Sequence, residues 1–422
     1  MAETLLSPGV LTRENDQSLV TQGPVVAGLA ILGPTVKGPV NIPTVVTSYS
    51  DYVNKFGGSF TSASIKYEYL TNISINNYFQ QGGETAVVTR IVSASYAPAS
   101  TEVRAIMHAD SASFTLETLS EGDIMNNSGS VSTSGSLVNG STENVRYEIA
   151  NVDSGSGTFN LLIRRGDDTT NRKTILESWT DLSLDPNSTN YIEQVIGNQR
   201  QNFDTDGDGN RFVQVTGSYS NNSRFVRVSS VGSPTLDYLD SDGNFKSALT
   251  SSLPQIGSGS NQGAFTGGAG SVFGKGANGN TRLKMYDEID VSSIQGLEAA
   301  YYTASLDLLK NTDEYDFEIL TIPGVTIHNG NVAANSAIDC VTQRGDAIAI
   351  IDTRNYGSTL SQAVTSATSV DSSYAATYWP WVQVLGTETG KLVFVPASTV
   401  MPGVYATNDR LGAEWFAPAG FN

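Results

Sequence analysis

At 422 residues the chain is long enough for two or three domains, since a single core seldom grows past about 250–300 residues. With 39% hydrophobic and 16% charged residues it reads as globular, and 41 glycines among many serines, threonines and asparagines signal turns and β structure. The excess of 42 acidic over 24 basic residues leaves a net charge of −18, which argues against a primary nucleic-acid or anionic-membrane surface.

One cysteine, Cys340, rules out an internal disulfide framework and fits a reducing compartment; its helical context makes it a small core residue. The opening residues MAETLLSPG lack the basic start of an export signal, and the longest apolar run, Val25 to Leu32, is far too short to cross a bilayer. The expectation is a soluble protein that is not exported by a standard signal.

Residues 1–20 hold a short apolar stretch, Leu5 to Leu11, broken by Ser7-Pro8-Gly9, and then polar residues. Such a segment is either a disordered leader or an extended arm that adds a strand to another chain's sheet. Val25 to Leu32 reads as a buried strand and Thr44 to Thr47 as a second, with a Gly/Pro-rich loop between them. Ser50 is positioned to cap a short helix that Gly57 closes. Ser62 to Gln81 then reads as a longer helix, because Ile65, Tyr69 and Ile73 step by four, and Ala86 to Val92 returns as a strand.

From about Ser93 to Gly274 the texture changes to short β-type runs and Gly/Ser/Asn turns, with only Asn187 to Gln199 helical, which predicts an inserted, mostly β domain. Gly257 to Gly279 reads as a low-complexity hinge or loop leading back to the first domain. Beyond it, Ile294, Leu297, Tyr301, Ala304 and Leu308 line one helical stripe, Phe317 to Pro323 is a strand, Val332 to Arg344 a helix and Ala347 to Asp352 a strand. Strand, helix and strand in so short a span imply a parallel pair with a right-handed crossover, and Thr359 to Ala367 starts a second crossover. The predicted fold class is therefore an α/β layered domain with a mixed, partly parallel sheet, built from residues 21–93 and 276–422 and interrupted by a β domain at 94–275.

No catalytic constellation stands out. A serine-hydrolase triad needs a histidine between serine and carboxylate, and only His108 and His328 exist, neither near a nucleophile-type serine. His328 follows a core strand, where α/β ligand sites occur, and is the residue to watch if a site exists. Asp204, Asp206 and Asp208 followed by Gly209 reproduce the first half of a calcium loop, but Val215 stands where the closing carboxylate belongs, so the segment reads first as a polar β-turn. Gly270 to Gly276 lacks the flanking glycine and the Ser or Thr of a phosphate loop. Arg164-Arg165-Gly166-Asp167-Asp168 reads as a solvated hairpin end or a charged patch that sets subunit register. No metal, cofactor or catalytic residue is assigned.

The last fifty residues carry the most specific pattern. Tyr374, Tyr378, Trp379, Trp381, Phe394, Tyr405, Trp415 and Phe416 crowd into one stretch whose apolar runs are separated by Gly386, Gly390, Pro402 and Gly403, giving strand, hairpin, strand and short helix. Rings at that density mean a core or a subunit contact. The linked motifs S-S-Y-A-x-x-Y-x-P-W, V-P-x-S, G-V-Y-A-x-x-D and W-x-x-P-A-G-x-N occur here in fixed order. At the other end stand Leu6-Ser-Pro-Gly-Val10, Arg13-Glu14, Gly33-Pro34, Lys37-Gly38-Pro39-Val40 and TSYSDYVNKFG.

Together these resemble the contractile tail sheath protein of bacteriophages, over roughly residues 5–93 and 285–422. The resemblance implies a subtilisin-like outline without its activity, and a non-enzymatic subunit that forms hexameric rings stacked as a helix around a tail tube. Its partners are then further copies of itself, the tube, baseplate and tail terminator proteins, with no nucleic acid and no membrane insertion. Its place is the tail of the virion, assembled in the host bacterial cytoplasm. Leu5, Leu6, Val10, Leu11, Leu19 and Val20 map onto the family's amino-terminal arm. The chain ends at Asn422, where sheath proteins continue through an inner domain and a carboxyl arm, so tube contacts map onto no residue here. Kept beside this reading are a related contractile secretion or toxin-injection machine, a calcium-binding β-rich surface protein using the Asp204 loop, and a degenerate hydrolase.

Overall fold

The computed structural model describes residues 25–62, 65–106, 111–131, 135–232, 242, 252–256, 263–271, 297, 299–328 and 331–411. Its centre is a six-stranded mixed sheet drawn from both ends of the chain. The strands are β1 (Val25–Gly33), β2 (Thr44–Val46), β3 (Ala86–Arg90), β4 (Tyr315–Thr326), β5 (Ile348–Asp352) and β6 (Ala375–Ala376). Their spatial order is β6-β5-β4-β1-β3-β2, parallel throughout except for β2, which runs antiparallel to β3.

Helices cover both faces of this sheet, which is why β1 reads as one continuous apolar run. Alternation along the strand sends Leu29 and Ile31 to one face and Ala30 and Leu32 to the other. On the first face lie α1 (Tyr49–Phe56) and α2 (Leu70–Gln80), through Tyr52, Phe56, Ile75 and Tyr78. On the second lie α3 (Ala299–Leu308) and α4 (Asn331–Arg344), through Tyr302, Leu306, Ala334, Ala337 and Val341; Cys340 is buried among them. The two expected crossovers are present: β4, α4 and β5, then β5, α5 (Leu360–Ala367) and β6. Thr359 caps α5 in a reciprocal capping box with Gln362.

Two local readings give way. The cap of α1 is Ser48, whose hydroxyl accepts the Asp51 N–H at 3.1 Å; Ser50 lies inside the helix. The stretch 62–81 is not one helix: Ile65–Tyr67 pairs antiparallel with Phe60–Ser62, and the helix begins only at Leu70. A step of four satisfies a strand's alternation as well as a helix turn, so residues 65 and 69 could not discriminate between them.

The region between β3 and β4 is β-rich. A four-stranded antiparallel sheet (Ser93–Arg104, Ala112–Glu121, Val226–Val231, Ala269–Ser271) and a three-stranded one (Val145–Asp153, Thr158–Arg165, Ile175–Ser183) share one core. In it the rings of Phe114 and Phe159 stack at 5.5 Å. The helix expected over Asn187 to Gln199 shrinks to Ile192–Ile196, since Gly197 at φ 107 ends it. Part of the expected hinge is ordered core: Phe265 is fully buried, and Asn127 and Asn126 accept the N–H groups of Phe265 and Gly268 at 2.8 Å. The hairpin of Arg200–Thr205 and Arg211–Thr216 reaches back to the α/β layer, where Phe203 and Val213 pack against its core.

Candidate functional site

Three places could carry function: the carboxyl ends of the parallel strands, the aromatic tail, and the seam with the β-rich region. At the first, His328 is exposed just after β4, its N–H donating to the Thr353 carbonyl at 3.3 Å. Buried below it, Asp352 at the end of β5 accepts the Ser398 backbone N–H at 3.1 Å and its hydroxyl at 2.5 Å. No imidazole stands between that serine and that carboxylate, so the pair lacks the relay a nucleophilic serine needs. Ser398 is the last residue of the V-P-x-S motif; its work here is to moor the chain after the hairpin to the sheet. His108 lies outside the described residues.

Burial raises the Asp352 carboxyl from 3.8 to about 6, against the opposing effect of its hydrogen bonds to Ser398. The folded chain therefore binds more protons than the unfolded chain between those values, and stability falls as pH rises through that window. At about 1.4 kcal/mol per pH unit the full effect is about 3 kcal/mol. Asp352→Asn, which keeps an acceptor for the Ser398 N–H, is expected to remove most of this slope in urea unfolding at pH 4 and 7.5; a variant with the wild-type slope would contradict it.

The tail motifs hold one another. The strands β7 (Val382–Leu385) and β8 (Leu392–Val395) form a hairpin, and α6 (Met401–Leu411) follows. Tyr378 of the first motif shares a short hydroxyl hydrogen bond with Tyr405 of the third. Trp381 packs with Leu70, Ile73 and Val395, and its indole N–H donates to the Arg354 carbonyl at 2.9 Å. The hairpin tip is pinned by Glu388, whose carboxylate accepts from Tyr49 and Lys66, both at 3.2 Å. Burial pushes both the Tyr49 hydroxyl and the Glu68 carboxyl beneath this tip upward, keeping the tyrosine protonated. The outer face of the hairpin is open: Leu385, Leu392 and Phe394 are exposed, Phe394 against the ring of Tyr356 at 4.6 Å. Trp415 and Phe416 lie outside the described residues.

The amino-end motif lies along the seam. Lys37 pairs with Glu143 at 2.9 Å, the Gly38 carbonyl accepts Arg90 Nη1 at 2.7 Å, and the Val40 N–H donates to the Glu121 carboxylate at 2.9 Å. Gly38 has φ 111, and a Cβ there would press into the Phe56 ring, so both backbone and packing demand glycine. K-G-P-V thus joins the α/β layer to the β-rich region.

The acidic loop does not gather its carboxylates. Asp204 lies within the strand Arg200–Thr205, while Asp206 spends its oxygens on the N–H groups of Asp208 and Asn210 and the Asn210 amide, at 2.8–2.9 Å, which lowers its pKa. Among the described residues no group of three or more His, Cys, Asp or Glu could hold a metal ion. The segment at Arg164 is mixed in character: Arg165 and Asp167 pair at the surface, but Arg164 and Asp168 turn inward. There Asp168 takes Arg164 Nε and Nη2 at 2.8 and 2.7 Å and the Thr174 N–H at 2.9 Å, with Arg146 at 3.5 Å. Nothing in the local sequence signals that inversion. The arm residues Leu5, Leu6, Val10, Leu11, Leu19 and Val20 lie outside the described residues.

No protein-family model and no curated protein matches the chain. Among solved structures it is similar to the sheath tail protein of Listeria innocua, with 11% identity and a TM-score of 0.46, covering 91% of this chain and 57% of that one. It is likewise similar to the sheath tail protein of Desulfitobacterium hafniense, with 12% identity and a TM-score of 0.42, covering 94% of this chain and 62% of that one. The chain thus spans about three fifths of the two sheath tail proteins it is similar to.

Proposed function

We propose that the chain is the structural subunit of a contractile tail sheath. It polymerises as a helical lattice around a tail tube and passes from an extended to a contracted state, driving the tube through the host envelope. The observation that carries this reading is that the motifs at the two ends of the sequence contribute to one α/β layer and bond to each other and to their own scaffold. Tyr378 meets Tyr405, Asp352 meets Ser398, and Lys37-Gly38-Pro39-Val40 holds the seam. Residues so engaged serve shape.

A sheath needs head-to-tail contacts that do not close, since an open heterologous interface repeats as a helix. The sheet supports this at one edge. Edge strand β2 is blunted by Lys55, whose ammonium donates to the Val45 carbonyl at 2.8 Å, whereas β6 is two partly exposed residues. On this reading residues 1–20 add a strand to a neighbouring copy, so that neighbours stay tied while their packing changes. The other partners are the tube, baseplate and terminator proteins, and the site of action is the virion tail, assembled in the host cytoplasm. No substrate is turned over.

Negative-stain electron microscopy of the purified 422-residue chain tests this. Striated hollow tubes are expected; monodisperse compact particles at every concentration would overturn the reading.

A further inference from the structure

The outer face of the β7–β8 hairpin is apolar, exposed and continuous. Leu385 and Leu392 are cross-strand partners, and alternation sets Phe394 beside Leu392 on that same face. The Phe394 ring meets that of Tyr356 at 4.6 Å, which carries the surface onto the loop after β5. The exposures of Leu385, Leu392, Phe394 and Tyr356 are 62%, 64%, 40% and 53%. The opposite face is already occupied, since Val384, Val393 and Val395 pack with Leu70, Ile73 and Trp381. A two-stranded ribbon that is apolar on both faces has the pattern of a sheet covered from both sides, yet the described residues cover one side alone.

Two observations say what covers the other, and the first is charge. The chain carries −18 overall, but between Asn355 and Thr387 the only charged residue is Asp371, and the hairpin's own two charges, Glu388 and Lys391, cancel. Charge depletion with aromatic enrichment marks the core of a protein interface. Copies that repel one another elsewhere can approach where the charge is missing, whereas a basic partner finds no carboxylate on this face to pair with. The second observation is area. Scaled by their exposures, the four side chains leave on the order of 500 Å² of surface in water, as much as the largest apolar patch of an ordinary monomer but well under the roughly 800 Å² per partner of a stand-alone complex. A contact of that size does not hold a dimer by itself, but it accumulates where every copy repeats it.

We propose that this face is a contact between copies of the chain, in which Leu385, Leu392, Phe394 and Tyr356 of one subunit are covered by a neighbouring copy. The proposal rests on the sheath reading for the lattice that repeats the contact, and adds to it a surface separate from residues 1–20.

The test uses two variants of the full chain. Cys340 is buried, so Leu392→Cys takes a polarity-sensitive dye selectively; its emission should shift to the blue as protein concentration rises, in step with assembly measured by sedimentation. Leu385→Thr combined with Leu392→Thr keeps β-branched residues on both strands. It should hold Tm within about 3 °C of wild type, and should raise the concentration needed for assembly about 10- to 100-fold. Tubes from the double variant at the wild-type concentration would overturn this proposal and leave the sheath reading standing. A concentration-dependent dye shift without tubes would keep the contact and overturn the sheath, and a chain that stays monomeric throughout would overturn both. A dye already shielded in dilute monomer would assign the face to the chain's own remaining residues. A shift driven by neutral phosphatidylcholine vesicles in place of protein concentration would assign it to lipid, and either result overturns the proposal.

Discussion

A chain lacking residues 1–20 is expected to stay folded and to form no tubes. Strand β1 begins at Val25 and is paired on both sides, by β4 from Val25 and by β3 from Leu29, so the central sheet closes without the first twenty residues. Between copies the same residues matter greatly. A donated strand makes about four to six ladder bonds at about 0.5–1.5 kcal/mol each, and burying Leu5, Leu6, Val10 or Leu11 adds about 1.5–3 kcal/mol apiece before ordering costs. A net loss of roughly 3–6 kcal/mol per contact weakens each link about 10²- to 10⁴-fold, and a lattice multiplies that loss along its length. Circular dichroism and thermal unfolding check the fold; sedimentation and electron microscopy check assembly. Tubes of ordinary length from the shortened chain would refute the arm, and loss of the folded state would refute its independence from the core.

Asp168→Ala is expected to destabilise the β-rich region by about 3–5 kcal/mol, the usual cost of leaving a buried partner charge uncompensated. Arg164 is held at both Nε and Nη2 by this carboxylate, and the side chains of Arg164, Arg146 and Asp168 are 1%, 2% and 0% exposed. Removing the acid leaves two buried guanidiniums side by side, with Glu148 still engaging Arg164 at 2.7 Å but shared with Lys173. The surface pair Arg165 and Asp167, a few residues away, is the control: Asp167→Ala should cost at most about 1 kcal/mol. Urea unfolding followed by far-UV circular dichroism measures both. Comparable small losses in the two variants would show that the inward network contributes little.

The contrast within those five residues illustrates how far local sequence reaches. Period and punctuation were enough for β1, for β4, α4 and β5, and for the α5 crossover, because a strand buried on both faces and a capped amphipathic helix are local properties. They failed where one pattern satisfied two periods, as at residues 62–69, and where glycine-rich texture hid a buried Phe265.

The amino-acid order alone determined that this is an α/β chain with a β-rich interruption, poor in catalytic constellations, and that its most specific motifs lie at its two ends. Only tertiary structure decided what those motif residues do. Ser398 bonds to Asp352 across 46 positions, Tyr405 to Tyr378 across 27, and Arg90 to the Gly38 carbonyl across 52. The direction in which a polar side chain points depends on what the rest of the chain packs above it. Burial is set by contacts distant in sequence, and no window along one segment contains them.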